Sequence, residues 1–334
     1  MTRLILTTDA SGAGGLKGAR RAEIVIPFEP RFVWGPLPSE AELVMLLARH
    51  EAADHWLWNV YRKYFGKIDR NEIGLIDFCE RCESIELWID PVPSAQLTLI
   101  WLLGYLRRHE KIASRLTLVQ AETIIGEKSP KQLAKWKPAA VDVANDHFEI
   151  AGLAWQAYRA PTPQAWFDLS NRDLSILPQL RACVVELLEE LPRRATGLGA
   201  TEMRMLELIG EGDAGPLDVF PGHLKRNERR VFEFWEVGSL LDGLARCPAP
   251  AVAGLDEGPF TPEMHNDRHR RERYMRSKLK LTTFGEAVLA GTDDFSRHNP
   301  IDRWWGGTRL SNDNLWRWDP ANRALIPPNA ARDP

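Results

Sequence analysis

Four short runs of β-branched and aliphatic residues punctuate the first part of the chain, and stretches of helical pattern separate them. They are RLILTT at 3–8, EIVIPF at 23–28, IELWI at 85–89 and LTLV at 116–119. Runs this short and this apolar suit strands covered on both faces. Their alternation with helices argues for parallel pairing through crossover connections. The pattern predicts a small parallel, Rossmann-like sheet and places an α/β domain at 1–125.

The helices between the strands are read from their own signals. A short one is expected at 16–21, and Ser39 with Glu42 forms a capping box for the apolar helix that runs through Leu47. Helical pattern continues through Trp56, Trp58, Tyr61 and Phe65, again over 71–82, and once more over 96–108.

After Pro130 the texture changes. Helical runs at 145–158, 163–169 and 177–191 define an α-helical region at 126–196. From Gly197 the expected order is a helix capped by Thr201, a short helix at 217–220, a helix at 231–244, a strand-like 279–281 and a helix opening at Thr283. Helices, strand and closing helix around a polar excursion at 256–277 predict a winged-helix-like C-terminal module at 197–295, with the excursion as an oversized wing. The remaining 296–334 is a Trp-rich tail. There, 308–310 and 315–318 flank Ser311-Asn312-Asp313-Asn314, which is good hairpin-turn chemistry.

Composition narrows the function classes. The net charge of −3 argues against bulk attraction to nucleic acid or to a membrane surface. The longest apolar stretch, 97–106, is interrupted by Thr98 and Gly104 and is too short to span a bilayer. No membrane association is therefore expected. The N-terminus lacks the apolar core of a secretory signal, and four cysteines in 334 residues do not resemble a disulfide framework, so the expected setting is cytoplasmic.

The chemistry-bearing residues cluster at strand ends. Asp9, Ser11, Gly12, Gly14 and Gly15 follow the first strand and lead into a helix. Bare amides at a helix start can hold an anion, and glycines allow close approach. A plain tight turn accounts for the same residues. Dinucleotide binding is disfavoured, because Lys17 stands where a third fingerprint glycine belongs.

Asp90 ends the third strand, with Ser94 and Gln96 just beyond it, at the edge where ligands gather in open parallel sheets. If the first and third strands are neighbours, Asp9 and Asp90 share a crevice, as metal ligands or as an acid/base pair. Asp90 as a plain strand end is the simpler alternative.

Other motifs are weaker. Cys79 and Cys82 end a helix instead of opening one, which favours a structural pair over a redox or zinc site. His265 and His269 stand four residues apart with no accompanying metalloprotease Glu, so no metal site is assigned. The stretch 265–280 holds seven Lys or Arg against two acids, which makes Arg270, Arg271 and Arg273 candidates for phosphate contact. A solvated charged loop is the alternative.

Several of these residues also carry a family likeness. The turn at 9–15, Trp34-Gly35-Pro36-Leu37-Pro38, Glu86-Leu87-Trp88-Ile89-Asp90 with Gln96-Leu97, Leu281-Thr282-Thr283-Phe284-Gly285 and Ile301-Asp302-Arg303-Trp304 together resemble the bacterial family called "domain of unknown function 1835". Where that family usually carries Glu after the Leu-Trp strand, this chain carries Asp90. The resemblance covers most of the chain and implies no reaction, cofactor or partner.

The functional expectation is an α/β domain that binds a phosphorylated small molecule of phosphate or nucleotide type. Its ligand residues are Asp9, Ser11, Gly12, Gly14, Gly15, Asp90 and Gln96. A winged-helix-like readout module then contacts nucleic acid or a protein partner. The alternatives are a metal-assisted enzyme acting on a nucleotide-like substrate through Asp9 and Asp90, and a protein-interaction module with no small ligand. The sequence does not decide whether the protein is an enzyme, and the cofactor, if any, is unknown.

Overall fold

In the computed structural model the described residues are 2–47, 50–51, 72–212, 214–221 and 227–328. The expected helix through Trp56, Trp58, Tyr61 and Phe65 lies outside them. The chain divides into two compact units, one of Met1–Phe32, Leu37–Ala157 and Arg172–Cys183, the other of Val33–Pro36, Tyr158–Asn171 and Val184–Pro334. Residues of the expected helical region 126–196 are thus shared between the units.

The first unit is built on a five-stranded sheet: β1 (Arg3–Thr7), β2 (Ile24–Pro27), β3 (Ser84–Ile89), β4 (Leu116–Gln120) and β5 (Val141–Asp142), in the order β2-β1-β3-β4-β5. The first four are parallel and β5 is antiparallel. Leu6 pairs with Ile26 on one side and Leu87 on the other, and Leu87 pairs in turn with Leu118. All four of these side chains are buried. Parallel strands are covered on both faces, and hence the near-continuous apolar runs.

On one face Ile5, Trp88 and Val119 pack with Leu16, Ile125 and Leu133. The helix α2 (Pro93–Leu106), which connects β3 to β4, is buried almost all round, with Leu97, Leu99, Ile100, Trp101, Leu102, Leu103 and Leu106 inside. Each such side chain contributes about 1.5–3 kcal/mol by leaving water.

The helix α1 begins earlier than its sequence suggests, spanning Ala10–Gly18 with Asp9 as its N-cap. Ser11, Gly12, Gly14 and Gly15 are therefore helical residues and not a loop. Glycines weaken a helix by about 1 kcal/mol each relative to Ala, yet tertiary packing favours them here. A Cβ on Gly15 would stand 2.7 Å from Leu133, and one on Gly12 would stand 3.3 Å from Ile125. Leu133 belongs to α3 (Pro130–Lys135), opened by a capping box of Ser129 and Gln132. The anticipated capping box of Ser39 and Glu42 is present at the start of the helix Glu40–Leu47.

In the second unit α4 (Ala200–Gly210) and α5 (Phe234–Ala245) flank a 3-10 turn at Pro216–Val219. Gly199, not Thr201, is the N-cap of α4. β6 (Val252–Ala253) pairs antiparallel with β7 (Lys280–Leu281), and Ala214 bridges Leu279. α7 (Thr283–Leu289) closes the set. One core joins them, with Met205, Leu206, Leu241, Leu244, Met264, Tyr274 and Val288 inside. The polar excursion before β7 carries two helices, Pro262–Asn266 and α6 (Arg268–Arg276), which break at Asp267.

The tail differs from its expected pairing. β8 (Asp302–Trp305) and β9 (Thr308–Ser311) form a hairpin closed by Gly306-Gly307. The segment Ser311-Asn312-Asp313-Asn314 makes only an isolated bridge between its ends. The two-residue loop puts Gly306 at φ +54, which a side chain rarely adopts. A Cβ on Gly307 would also stand 2.1 Å from the Arg159 oxygen. β10 (Arg317–Asp319) pairs instead with β11 (Ala324–Ile326).

Candidate functional site

The strand order fixes where a crevice can open. The chain leaves β1 toward β2 on one side, and leaves β3 toward β4 on the other. The connections therefore diverge between β1 and β3, at the carboxyl ends of both strands, and in doubly wound folds that divergence is where ligands bind. Asp9 follows β1 and Asp90 follows β3, so the two carboxylates stand at this switch point.

Asp90 is only 2 % exposed, and its Oδ1 accepts the Ile125 amide at 2.7 Å. Burial pushes its carboxyl up to about 6, against the Ile125 hydrogen bond; the charges of Asp9 and Glu127 add to the rise. The mutual repulsion places both aspartates in one electrostatic neighbourhood. Gln96, fully buried in the first turn of α2, donates its Nε2 to the Asp90 main-chain oxygen at 2.8 Å.

At the same sheet edge stand further buried polar atoms, of which sequence reasoning named only Gln96. Thr7 Oγ1, Thr8 Oγ1, Gln96 Oε1 and Gln120 Oε1 are all buried and lack a hydrogen-bond partner among the described residues. Thr7 and Gln120 end β1 and β4, Thr8 follows β1, and Gln96 opens α2. The signal was present in the sequence, as polar residues closing strands otherwise filled with Leu, Ile and Val. Leaving one such group unpaired costs about 1–3 kcal/mol. A cluster of them at one sheet edge is unusual in a core built only for stability.

The helix start is less open. Asp9 Oδ2 accepts the Gly12 amide at 2.5 Å. Gly126, in the 3-10 turn Ile125–Glu127, packs so closely that a Cβ there would stand 2.5 Å from Asp9 Oδ2 and 3.2 Å from the Gly12 nitrogen. Ser11 is exposed, Gly14 faces open space and Gly15 faces Leu133. The structure thus gathers Asp9, Ser11, Gly12, Asp90 and Gln96 with the 125–127 turn, while Gly14 and Gly15 point elsewhere.

Among the described residues, no group of three or more His, Cys, Asp or Glu could hold a metal ion. His265 and His269 fall in different helices because Asp267 separates them. Cys79 and Cys82 are buried free thiols, and burial pushes Cys82 up to about 11 and Cys79 higher still.

In the second unit, Arg273 and Arg270 both donate to Glu257, at 2.5 and 3.0 Å. The Arg273 hydrogen bond, then that of the Gly258 amide and of Arg270, hold the Glu257 carboxyl down to about 2. Two of the three arginines expected to contact phosphate therefore share one internal carboxylate. Arg271 is exposed. No described helix is long and apolar enough to cross a membrane.

No family model matches the chain, and no curated protein matches it. Among solved structures it is similar to the Plasmodium falciparum topoisomerase II DNA-binding, cleavage and re-ligation domain, with a TM-score of 0.46 and 9% identity. That likeness covers 97% of this chain and 54% of the other, so the chain spans about half the length of the structure it resembles.

Proposed function

We propose that the first unit binds a small nucleotide-type ligand in the crevice between β1 and β3, and that the ligand enters through its hydroxyl- or amine-bearing part. The carrying observation is that the Thr7, Thr8, Gln96 and Gln120 oxygens are buried and unpartnered among the described residues at the sheet edge where Asp9 and Asp90 stand. Carboxylates at such strand ends accept ribose hydroxyls in dinucleotide folds, and the carboxamide oxygens would accept amine or imino hydrogens. A phosphate against α1 is disfavoured, because Asp9 already takes the Gly12 amide and adds a negative charge there.

Titration calorimetry with nucleosides, nucleotides and their Mg²⁺ complexes tests this reading. Saturable binding weakened at least tenfold by Asp90→Asn and by Gln120→Leu supports it. No binding at millimolar concentration, or binding indifferent to both substitutions, overturns it.

We further propose that 197–295 is a winged-helix-like module that meets a protein partner. The element order supports this, with α4, the Ala214 bridge, the 3-10 turn, α5, β6, the helical excursion, β7 and α7 in sequence. The pairing of Arg270 and Arg273 with Glu257 favours protein over nucleic acid as the partner. Membership of the bacterial family named above, and a cytoplasmic setting suited to four free thiols, complete the proposal.

A further inference from the structure

The second unit contains a cavity of about 190 Å³ whose lining includes Trp34, Tyr158, Phe232, Arg303, Trp304 and Trp305. Trp34 meets Phe232 edge to face at 5.8 Å, and Tyr158 meets Trp305 in the same manner at 5.5 Å. Trp305 is held by its indole N–H, which donates to the Leu187 oxygen at 2.7 Å. These walls are largely aromatic, yet Trp34 and Trp304 remain 40% and 37% exposed.

Polar groups in this cavity are nearly all committed. Arg303 Nη1 donates to Glu202 at 2.8 Å, and Glu190 accepts from Thr201 and from Arg229. Asp302 pairs with Arg309 across the β8–β9 hairpin. With these charges matched, the site calls for no net charge on an occupant. One donor is left over: Arg303 Nη2 is buried and has no partner among the described residues. A guanidinium nitrogen sealed from water without an acceptor is costly. A planar ring that stacks on tryptophan and offers an oxygen to this donor would satisfy both features at once.

We propose that this cavity takes an uncharged heteroaromatic ring bearing a carbonyl, of the kind that guanine and uracil present. The ring lies against Trp34 and Trp304, and its carbonyl oxygen accepts from Arg303 Nη2 as the guanidinium turns toward it. The site is independent of the crevice between β1 and β3. Base-on-aromatic stacking tolerates many rings; the Arg303 bond is what selects the carbonyl. A free nucleoside and a base within a single strand offer the same chemistry.

The test uses the full chain, titrated by calorimetry with guanosine, uridine, adenosine, indole and a short oligouridylate. Guanosine or uridine, free or within the oligomer, is expected to bind at least tenfold more tightly than indole. Trp304→Ala, at an exposed position whose loss should leave the melting temperature intact, is expected to weaken binding at least tenfold. Arg303→Gln should erase the preference over indole; these titrations are made in the full chain carrying Asp90→Asn and Gln120→Leu, so that nucleoside taken up between β1 and β3 does not contribute. Absence of binding by all carbonyl-bearing rings overturns the proposal. So does equal affinity for indole, or binding that survives Trp304→Ala.

Discussion

The carboxylate of Asp90 and the amide of Ile125 stand 2.7 Å apart, tying the end of β3 to the turn that follows β4. This bond fastens Gly126 over the start of α1, and so the carboxylate at the end of β3 also fixes what packs beside it.

Asp90 should make the protein less stable as pH rises. Its folded carboxyl sits at about 6, above the ordinary 3.8, with burial as the leading cause. The folded state therefore holds its proton more tightly than the unfolded chain does. The stabilisation is complete below pH 4 and is lost as pH climbs through 6, about 2–3 kcal/mol in all. Asp90→Asn keeps an acceptor for Ile125 and removes the titration. Urea unfolding between pH 4.5 and 7.5 should show the variant gaining on the parent by about that amount.

Gly126→Ala and Gly14→Ala should move stability in opposite directions. At Gly126 the new methyl would collide with Asp9 Oδ2, with Ser11 Cβ at 3.0 Å and with the Gly12 nitrogen. A loss of about 1–3 kcal/mol is expected. At Gly14 nothing lies within 4 Å, and the site is inside a helix. There the alanine should gain about 0.5–1 kcal/mol. Thermal melts of the pair decide it; a neutral Gly126→Ala would mean that the turn does not press on α1.

Glu257→Gln should release basic surface. With its carboxylate gone, Arg270 and Arg273 lose their shared partner. The variant should elute from heparin at distinctly higher salt than the parent. Double replacement of both arginines by Ala in the parent should shift elution little. An unchanged Glu257→Gln profile would show that these side chains do not reach solvent when freed.

The thiols should differ in reactivity according to burial. Cys79, Cys82 and Cys183 are buried, whereas Cys247 is partly exposed. Burial raises the Cys82 thiol to about 11 and raises that of Cys247 as well. In the native protein at pH 8 a thiol-specific disulfide reagent should modify Cys247 slowly and the other three only on unfolding. Rapid native labelling at Cys79 or Cys82 would contradict the packing of that helix end.

The four parallel strands were legible because burial on both faces writes itself into consecutive apolar letters. β5 was not, because two residues, Val141 and Asp142, are too few to show any period. The start of α1 was misplaced for a physical reason: glycine disfavours helix locally, and only contacts with Ile125 and Leu133, far along the chain, make it the better choice. In the tail, Ser311-Asn312-Asp313-Asn314 had the letters of a turn. The sharper requirement, room beside Tyr158 and Arg159 at Gly306 and Gly307, is invisible without coordinates. The positions of Asp9 and Asp90 just past two strands were legible from the apolar runs that precede them. The 125–127 turn that covers them comes from another crossover and left no local mark.

Both margins of the five-stranded sheet are poor templates for recruiting another chain. β2 ends in Pro27, which has no amide hydrogen to offer, and β5 is two residues long and ends in a charged Asp142. A sheet finished in this way offers little backbone for edge-to-edge pairing.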